Sequence, residues 1–381
     1  MMPVIAKIGL AITSFLMLFL SLFLTAAFDS HAFTQTQEAP MNYFKAEGVV
    51  TEIDVSEMQS EIVSPTGNDD DHNRTYFELH DWDSQSGKVL FTSGQFIGIM
   101  NANATDIQKI ILPSELHDEL CWECSPVRKA LFINNTTIYA LAQNNLLIYE
   151  ITNDALVNAG QYQLAGSITS FDIIRQTNGD SSNNSSDTNF NLVLVDSYCT
   201  LWLSDPLGKK ISKLYEAQMA SDFAVSPDGR KIAFVVNDSI EGHVYLHTVR
   251  LIILDIENSS NNKTHQVYEE MTDTTPNWIK WSPDGKLILF REVGGRHNPT
   301  ATLEAISTDG SYREILYGGL DAPTSYVVSK DGTTILIGVS ASKLYRLDLA
   351  HPIPEFHSLA LVIAALSISS IILAHTYMKN R

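Results

Sequence analysis

The chain has 381 residues, 44% of them hydrophobic, with 44 acidic against 25 basic residues and a net charge of −19. A protein this acidic repels a phosphate backbone, which argues against nucleic acid as a partner, and its length suits either two domains or one repeat-built domain. Three cysteines are too few for a disulfide scaffold or for a four-cysteine zinc site within one chain.

Lys7 precedes an apolar run from Ile8 to Leu24, and Thr25-Ala26-Ala27 and Ser30-His31-Ala32 then supply small residues. A positive start, an apolar stretch and small residues before the cut are the parts of a secretory signal peptide, expected over residues 1–32. The run is long enough for an uncleaved N-terminal anchor to be the alternative. Residues 33–44 follow as a linker, and the body spans 45–350.

Early in the body, Asp69-Asp70-Asp71-His72 offers carboxylate oxygens of the kind that hold calcium, the one cofactor the sequence suggests. It lacks the one-three-five spacing and closing Glu of a calcium loop, so a solvated acidic loop is expected. Cys121 and Cys124 flank Trp122 and Glu123 between two prolines and are expected to form a local disulfide in an oxidising exterior. Cys199, in an apolar stretch with Trp202, reads as a buried strand thiol. His243 and His247 have the spacing of a helical metal pair, but the intervening Val244-Tyr245-Leu246 reads as strand. Glycosylation triplets occur at Asn73, Asn103, Asn134, Asn135, Asn183, Asn184, Asn237, Asn258 and Asn262, all in the body.

The clearest internal signal is a turn written three times with its flanking strands: Ser226-Pro227-Asp228-Gly229, Ser282-Pro283-Asp284-Gly285 and, more loosely, Ser329-Lys330-Asp331-Gly332. Pro presets φ near −65°, Asp bonds to nearby backbone, and Gly takes the positive φ that reverses the chain, so each copy predicts a β-hairpin corner. The strands after these corners begin near Ile232, Leu287 and Ile335. Weaker copies upstream place matching strands near Val89, Ile138 and Leu192. The successive spacings are 49, 54, 40, 55 and 48 residues, as in the blades of a β-propeller with loop insertions.

The last blade runs out of chain after three strands, whereas Gly48–Val55 reads as a strand without a hairpin partner. That strand is expected to complete the last blade and close the ring, hiding two sheet edges. The expected fold is therefore an all-β propeller of six four-stranded blades, with seven as the alternative.

The Ser-Pro-Asp-Gly corners, with Phe223 and Trp278 three and four residues ahead of Ser226 and Ser282, resemble the TolB-type repeat, a relative of WD-repeat propellers. The resemblance is specific over about residues 220–350. It implies the fold, and with it a binding platform or scaffold, but not a ligand.

After a linker at 351–357, the apolar run Leu359–Ala374 lies within a segment, 358–378, long enough for a transmembrane helix, and the tail 379–381 ends in Lys379 and Arg381. Positive charge beside a span favours the cytoplasmic side, which places the body outside a single-pass cell membrane anchor. Pro354-Glu355-Phe356, the apolar run and the basic end resemble the C-terminal sorting signal of archaeal surface proteins. The resemblance implies processing by an archaeosortase-type transpeptidase, and a processed tail would leave no span.

The sequence contains no nucleophile elbow, phosphate loop, dinucleotide fingerprint or zinc-protease helix. The expected function is a cell-surface propeller, not an enzyme, that binds or scaffolds a protein or glycan through loops on one face. Two alternatives stand beside it: a hydrolase or lyase with carboxylates from several blades in the central channel, and a calcium-stabilised adhesin.

Overall fold

The structure, a computed structural model, describes residues 48–55 and 77–349 apart from 84, 95, 114–115, 117–125, 153–154, 176–189, 217–218, 240–246, 257–262, 273, 294–300, 319–321 and 341–342. Outside the described residues lie the expected signal peptide, Asp69, Asp70, Asp71, Cys121, Cys124, and the triplets at Asn73, Asn183, Asn184, Asn258 and Asn262. Pro354, Glu355, Phe356 and the apolar run after them also lie outside. Among the described residues, no helix is long and apolar enough to cross a membrane.

A single strand, β1 (Gly48–Asp54), comes first. The first blade is then β2 (Phe77–Trp82), β3 (Lys88–Ser93), β4 (Phe96–Asn101) and β5 (Gln108–Ile111). The second is β6 (Val127–Phe132), β7 (Thr137–Ala142), β8 (Asn145–Thr152) and β9 (Ala155–Gln163), and the third is β10 (Ile168–Arg175), β11 (Phe190–Asp196), β12 (Thr200–Ser204) and β13 (Lys210–Glu216). The fourth comprises β14 (Met219–Val225), β15 (Lys231–Ser239), β16 (His247–Asp255) and β17 (Lys263–Thr272), and the fifth β18 (Asn277–Trp281), β19 (Leu287–Val293), β20 (Ala301–Ser307) and β21 (Arg313–Gly318). The last contains β22 (Ser325–Val328), β23 (Thr334–Ser340) and β24 (Lys343–Leu349). Its fourth place is taken by β1, which pairs antiparallel with β24 from Gly48 opposite Leu349 to Asp54 opposite Lys343. Six sheets of four strands result, not seven.

The core is divided among six apolar clusters, one at each junction of neighbouring blades. Ile99 and Leu147 share one, Leu141 and Leu192 the next, Val193 and Phe234 the third, Ile253 and Ile288 the fourth, and Leu289 and Ile337 the fifth. The sixth packs Leu336 and Leu344 of the last blade against Phe77, Leu79 and Phe91 of the first. Each buried Leu, Ile or Phe adds about 1.5–3 kcal/mol, so the sixth junction stabilises the ring as the other five do. The Leu79 amide also donates to Ser325 Oγ across it at 2.8 Å.

The corners are built as their chemistry suggests. The Ser226 hydroxyl donates to Asp228 Oδ1 at 2.6 Å and accepts from the Lys231 amide at 2.9 Å, while Gly229 has a φ of 70°. Ser282 with Asp284, and Ser329 with Asp331, repeat the 2.6 Å contact, and Gly285 and Gly332 have φ of 72° and 68°. Sequence reading missed a fourth copy, Ser307-Thr308-Asp309-Gly310, between β20 and β21. It joins the two outer strands of its blade, so it falls out of phase with the others.

One local expectation is corrected. Cys199 lies in the β11–β12 turn rather than in a strand, with a φ of 61°, and is only half buried. His247 opens strand β16, in keeping with the strand reading of this stretch, and His243 lies outside the described residues.

Candidate functional site: the central channel

The first strands of the six blades, β2, β6, β10, β14, β18 and β22, all contribute to the wall of one cavity of about 1020 Å³. Residues from both their starts, such as Arg128 and Thr169, and their corner ends, such as Pro227, Pro283 and Lys330, border it. The cavity therefore follows the channel along its length.

Five of these strands carry a bulge, between Leu79 and Asp81, Val127 and Lys129, Ile168 and Ser170, Met219 and Phe223, and Asn277 and Lys280. An extra residue shifts the alternation of faces. In four of the strands the shift is one residue; in β14 it is two, which keeps the alternation, and Asp222 lies within the shifted stretch.

At the centre are Asp81, Lys129, Asp172, Asp222 and Lys280, with His80 beside them. Lys129 Nζ lies 3.5 Å from Asp222 Oδ1 and 4.0 Å from Asp172 Oδ2, and donates to the Phe223 carbonyl at 3.1 Å. Burial works against its charge, but Asp222 and Asp172 more than offset this and raise its pKa. Asp172 also ties blades together: Oδ2 accepts the Val225 amide of the fourth blade at 2.8 Å, and Oδ1 the Ile173 amide at 2.7 Å. Burial pushes its carboxyl upward, partly opposed by Lys129 and these amides. Asp81 does the same between the first two blades, accepting the Phe132 amide at 2.9 Å and the Trp82 amide at 2.8 Å.

Lys280, on the fifth blade, donates to the His80 carbonyl of the first blade at 2.6 Å. Burial, with Lys129 nearby, lowers its pKa against the pull of Asp81, Asp222 and Asp172. His80 is 1% exposed; its Nε2 is 2.9 Å from Thr92 Oγ1, and its Nδ1 has no partner among the described residues. Burial, then the charges of Lys280 and Lys129, lower its pKa to about 3, so it is neutral at physiological pH.

Of the residues singled out in the sequence, Asn134, Cys199, Ser226, Pro227, Trp278, Pro283 and Lys330 border this cavity. Asn134 Oδ1 accepts the Thr136 amide and hydroxyl, both at 2.9 Å, which turns the side chain back on its own loop. Asn103 and Asn135 are exposed, whereas Asn237 lies within β15 with its Nδ2 3.3 Å from Thr275 Oγ1. The central charged cluster was missed. Its signal was a charge set among apolar neighbours in a first strand, as in Ile279-Lys280-Trp281 and Phe171-Asp172-Ile173. Among the described residues, no group of three or more His, Cys, Asp or Glu side chains could hold a metal ion.

The fold and its channel define a six-bladed β-propeller. Residues 208–352, from β13 to the end of the ring, match the model of the family described as the lipoprotein LpqB beta-propeller domain. No curated protein matches the chain. A solved structure described as "Crystal Structure of Mitotic Checkpoint Complex" aligns at 12% identity with a TM-score of 0.46, covering 83% of this chain and 96% of that one.

Proposed function

We propose that this protein is a cell-envelope propeller, displayed on the outer side of the membrane, that binds rather than transforms its ligand. The observation that carries the proposal is the similarity of residues 208–352 to the propeller domain of a lipoprotein, in a chain with apolar runs at Ile8–Leu24 and Leu359–Ala374. The two runs support attachment through a signal peptide and a C-terminal span. The Pro354-Glu355-Phe356 order supports archaeosortase-type processing of the tail, and the exposed triplets at Asn103 and Asn135 support glycosylation.

Binding is favoured over a channel hydrolase or lyase because each central carboxylate is already engaged. Asp81 and Asp172 each accept two backbone amides, and Asp222 accepts the Ser170 hydroxyl at 3.0 Å as well as facing Lys129. General acid–base chemistry needs a carboxyl that can reach substrate and exchange a proton. Protease treatment of intact cells tests the display: the propeller should be cut from outside, and full protection until lysis would overturn the proposal.

A further inference from the structure

The channel's acceptors and donors are not equally engaged. Its central carboxylates each take two or more protein partners, as described above. By contrast Lys280, Arg128 and Arg175, which also border the cavity, each donate to a single backbone carbonyl: that of His80, of Ile168 at 3.4 Å and of Phe132 at 2.9 Å, respectively. None of the three has a carboxylate within 4.0 Å among the described residues. An ammonium has three donors and a guanidinium five; Arg128 and Arg175 are exposed and give their remaining donors to water, whereas Lys280 is half-buried and has no second protein acceptor among the described residues. His80, 1% exposed and bordering the same space, adds an Nδ1 without a partner among the described residues.

The deepest of these cations is Lys280. An ammonium taken from water without an adjacent counter-ion is costly, and a ligand that supplies one recovers that cost. We propose that the channel cavity binds a small carboxylate-bearing molecule, with the carboxylate seated against the Lys280 ammonium. A carboxylate fits better than a phosphate because Asp81, Asp172 and Asp222 act on the same position from beyond 4.0 Å, and their repulsion grows with the charge of the group seated there, about one for each succinate carboxylate and between one and two for phosphate. The cavity, about 1020 Å³, admits a ligand well beyond acetate in size. This inference deepens the binding role proposed above and rests on it. Loss of surface display in the protease experiment would leave carboxylate binding untouched, so the two fail separately.

The test is calorimetric titration of the full-length chain in detergent with acetate, succinate and inorganic phosphate. Succinate should bind, with phosphate about tenfold weaker or more. Lys280→Met should weaken succinate binding about tenfold or more, and Lys280→Arg should retain it. If Lys280→Met fails to fold, the wild-type chain gives the second measurement. Lys280 faces Asp81, Asp172, Asp222, Lys129 and His80, and its pKa is lowered while that of Lys129 is raised, so succinate affinity should fall as pH rises toward the ordinary lysine value of about 10.4. The proposal is overturned by the absence of heat with both carboxylates, by phosphate binding as tightly as succinate, by unchanged affinity in Lys280→Met, or by affinity that stays flat over that rise in pH.

Discussion

Lys129 of the second blade reaches past the third to meet Asp222 of the fourth, with Nζ 3.5 Å from Oδ1. Asp172 of the intervening blade lies 4.0 Å from the same nitrogen. One cation thus joins three blades where their first strands converge, at a site where the three side chains are 13%, 18% and 25% exposed. Removing it leaves two largely buried carboxylates facing each other. Lys129→Met should cost about 3 kcal/mol in urea unfolding, and adding Asp172→Asn and Asp222→Asn should recover most of that loss. Additive losses in the triple variant would show that the three do not act as a unit.

Stability should fall in mild acid because of His80. Its folded pKa is depressed to about 3 from 6.5, so below 6.5 the unfolded chain takes up a proton that the folded chain refuses. The stabilisation is complete above pH 6.5 and is lost as pH falls toward 3, at up to about 1.4 kcal/mol per unit. Asp309, held near 2 by Ser307 and Ser311, and the lowered Asp228 and Asp331 add their own losses only below the ordinary carboxylate range near 3.8. Between about pH 6 and pH 4.5 the raised carboxyls of Asp172, Glu78 and Glu292 act in the opposite sense, so the histidine's share is read as the difference in slope between wild type and a His80 variant. His80→Gln should flatten the slope there, and a slope unchanged by the substitution would assign it elsewhere.

Two glycines with nearly the same backbone should respond differently to alanine. Gly87 and Gly310 have φ of 69° and 71°, a region that costs an L-residue about 1–2 kcal/mol. A Cβ on Gly87 meets nothing within 4 Å, whereas one on Gly310 collides with the Val267 carbonyl oxygen of the neighbouring blade. Gly87→Ala should cost about 1 kcal/mol and Gly310→Ala clearly more, because the blades must separate. Equal losses would mean that the β20–β21 corner does not press on β17.

The hairpin corner is a local device, and so it was readable: Ser282, Asp284 and Gly285 need only each other and the strand they start. The strands placed near Val89, Ile138, Leu192, Ile232, Leu287 and Ile335 begin within two residues of those positions for the same reason. The channel was not readable, because Lys129, Asp172 and Asp222 stand on three blades and meet only when the ring forms, at bulges that periodic patterning does not reveal. Cys199 was misread because its apolar neighbours suggested a strand where Asp196 folds the chain into a turn, accepting the Tyr198 and Thr200 amides at 3.0 and 3.1 Å.

The most direct test of the account concerns ring closure, since channel, cavity and interblade cores all depend on it. Without β1 the last blade keeps three strands, β24 becomes an open edge, and Ile53 and Val55 leave the junction with the first blade. Thermal unfolding should be compared for two chains, one beginning at Gln37 and the other at Ser64. The account predicts that the shorter chain melts far below the longer one or aggregates, losing several kcal/mol of a net stability of about 5–15 kcal/mol. Equal melting temperatures would contradict it and leave residues 45–63 as a tether.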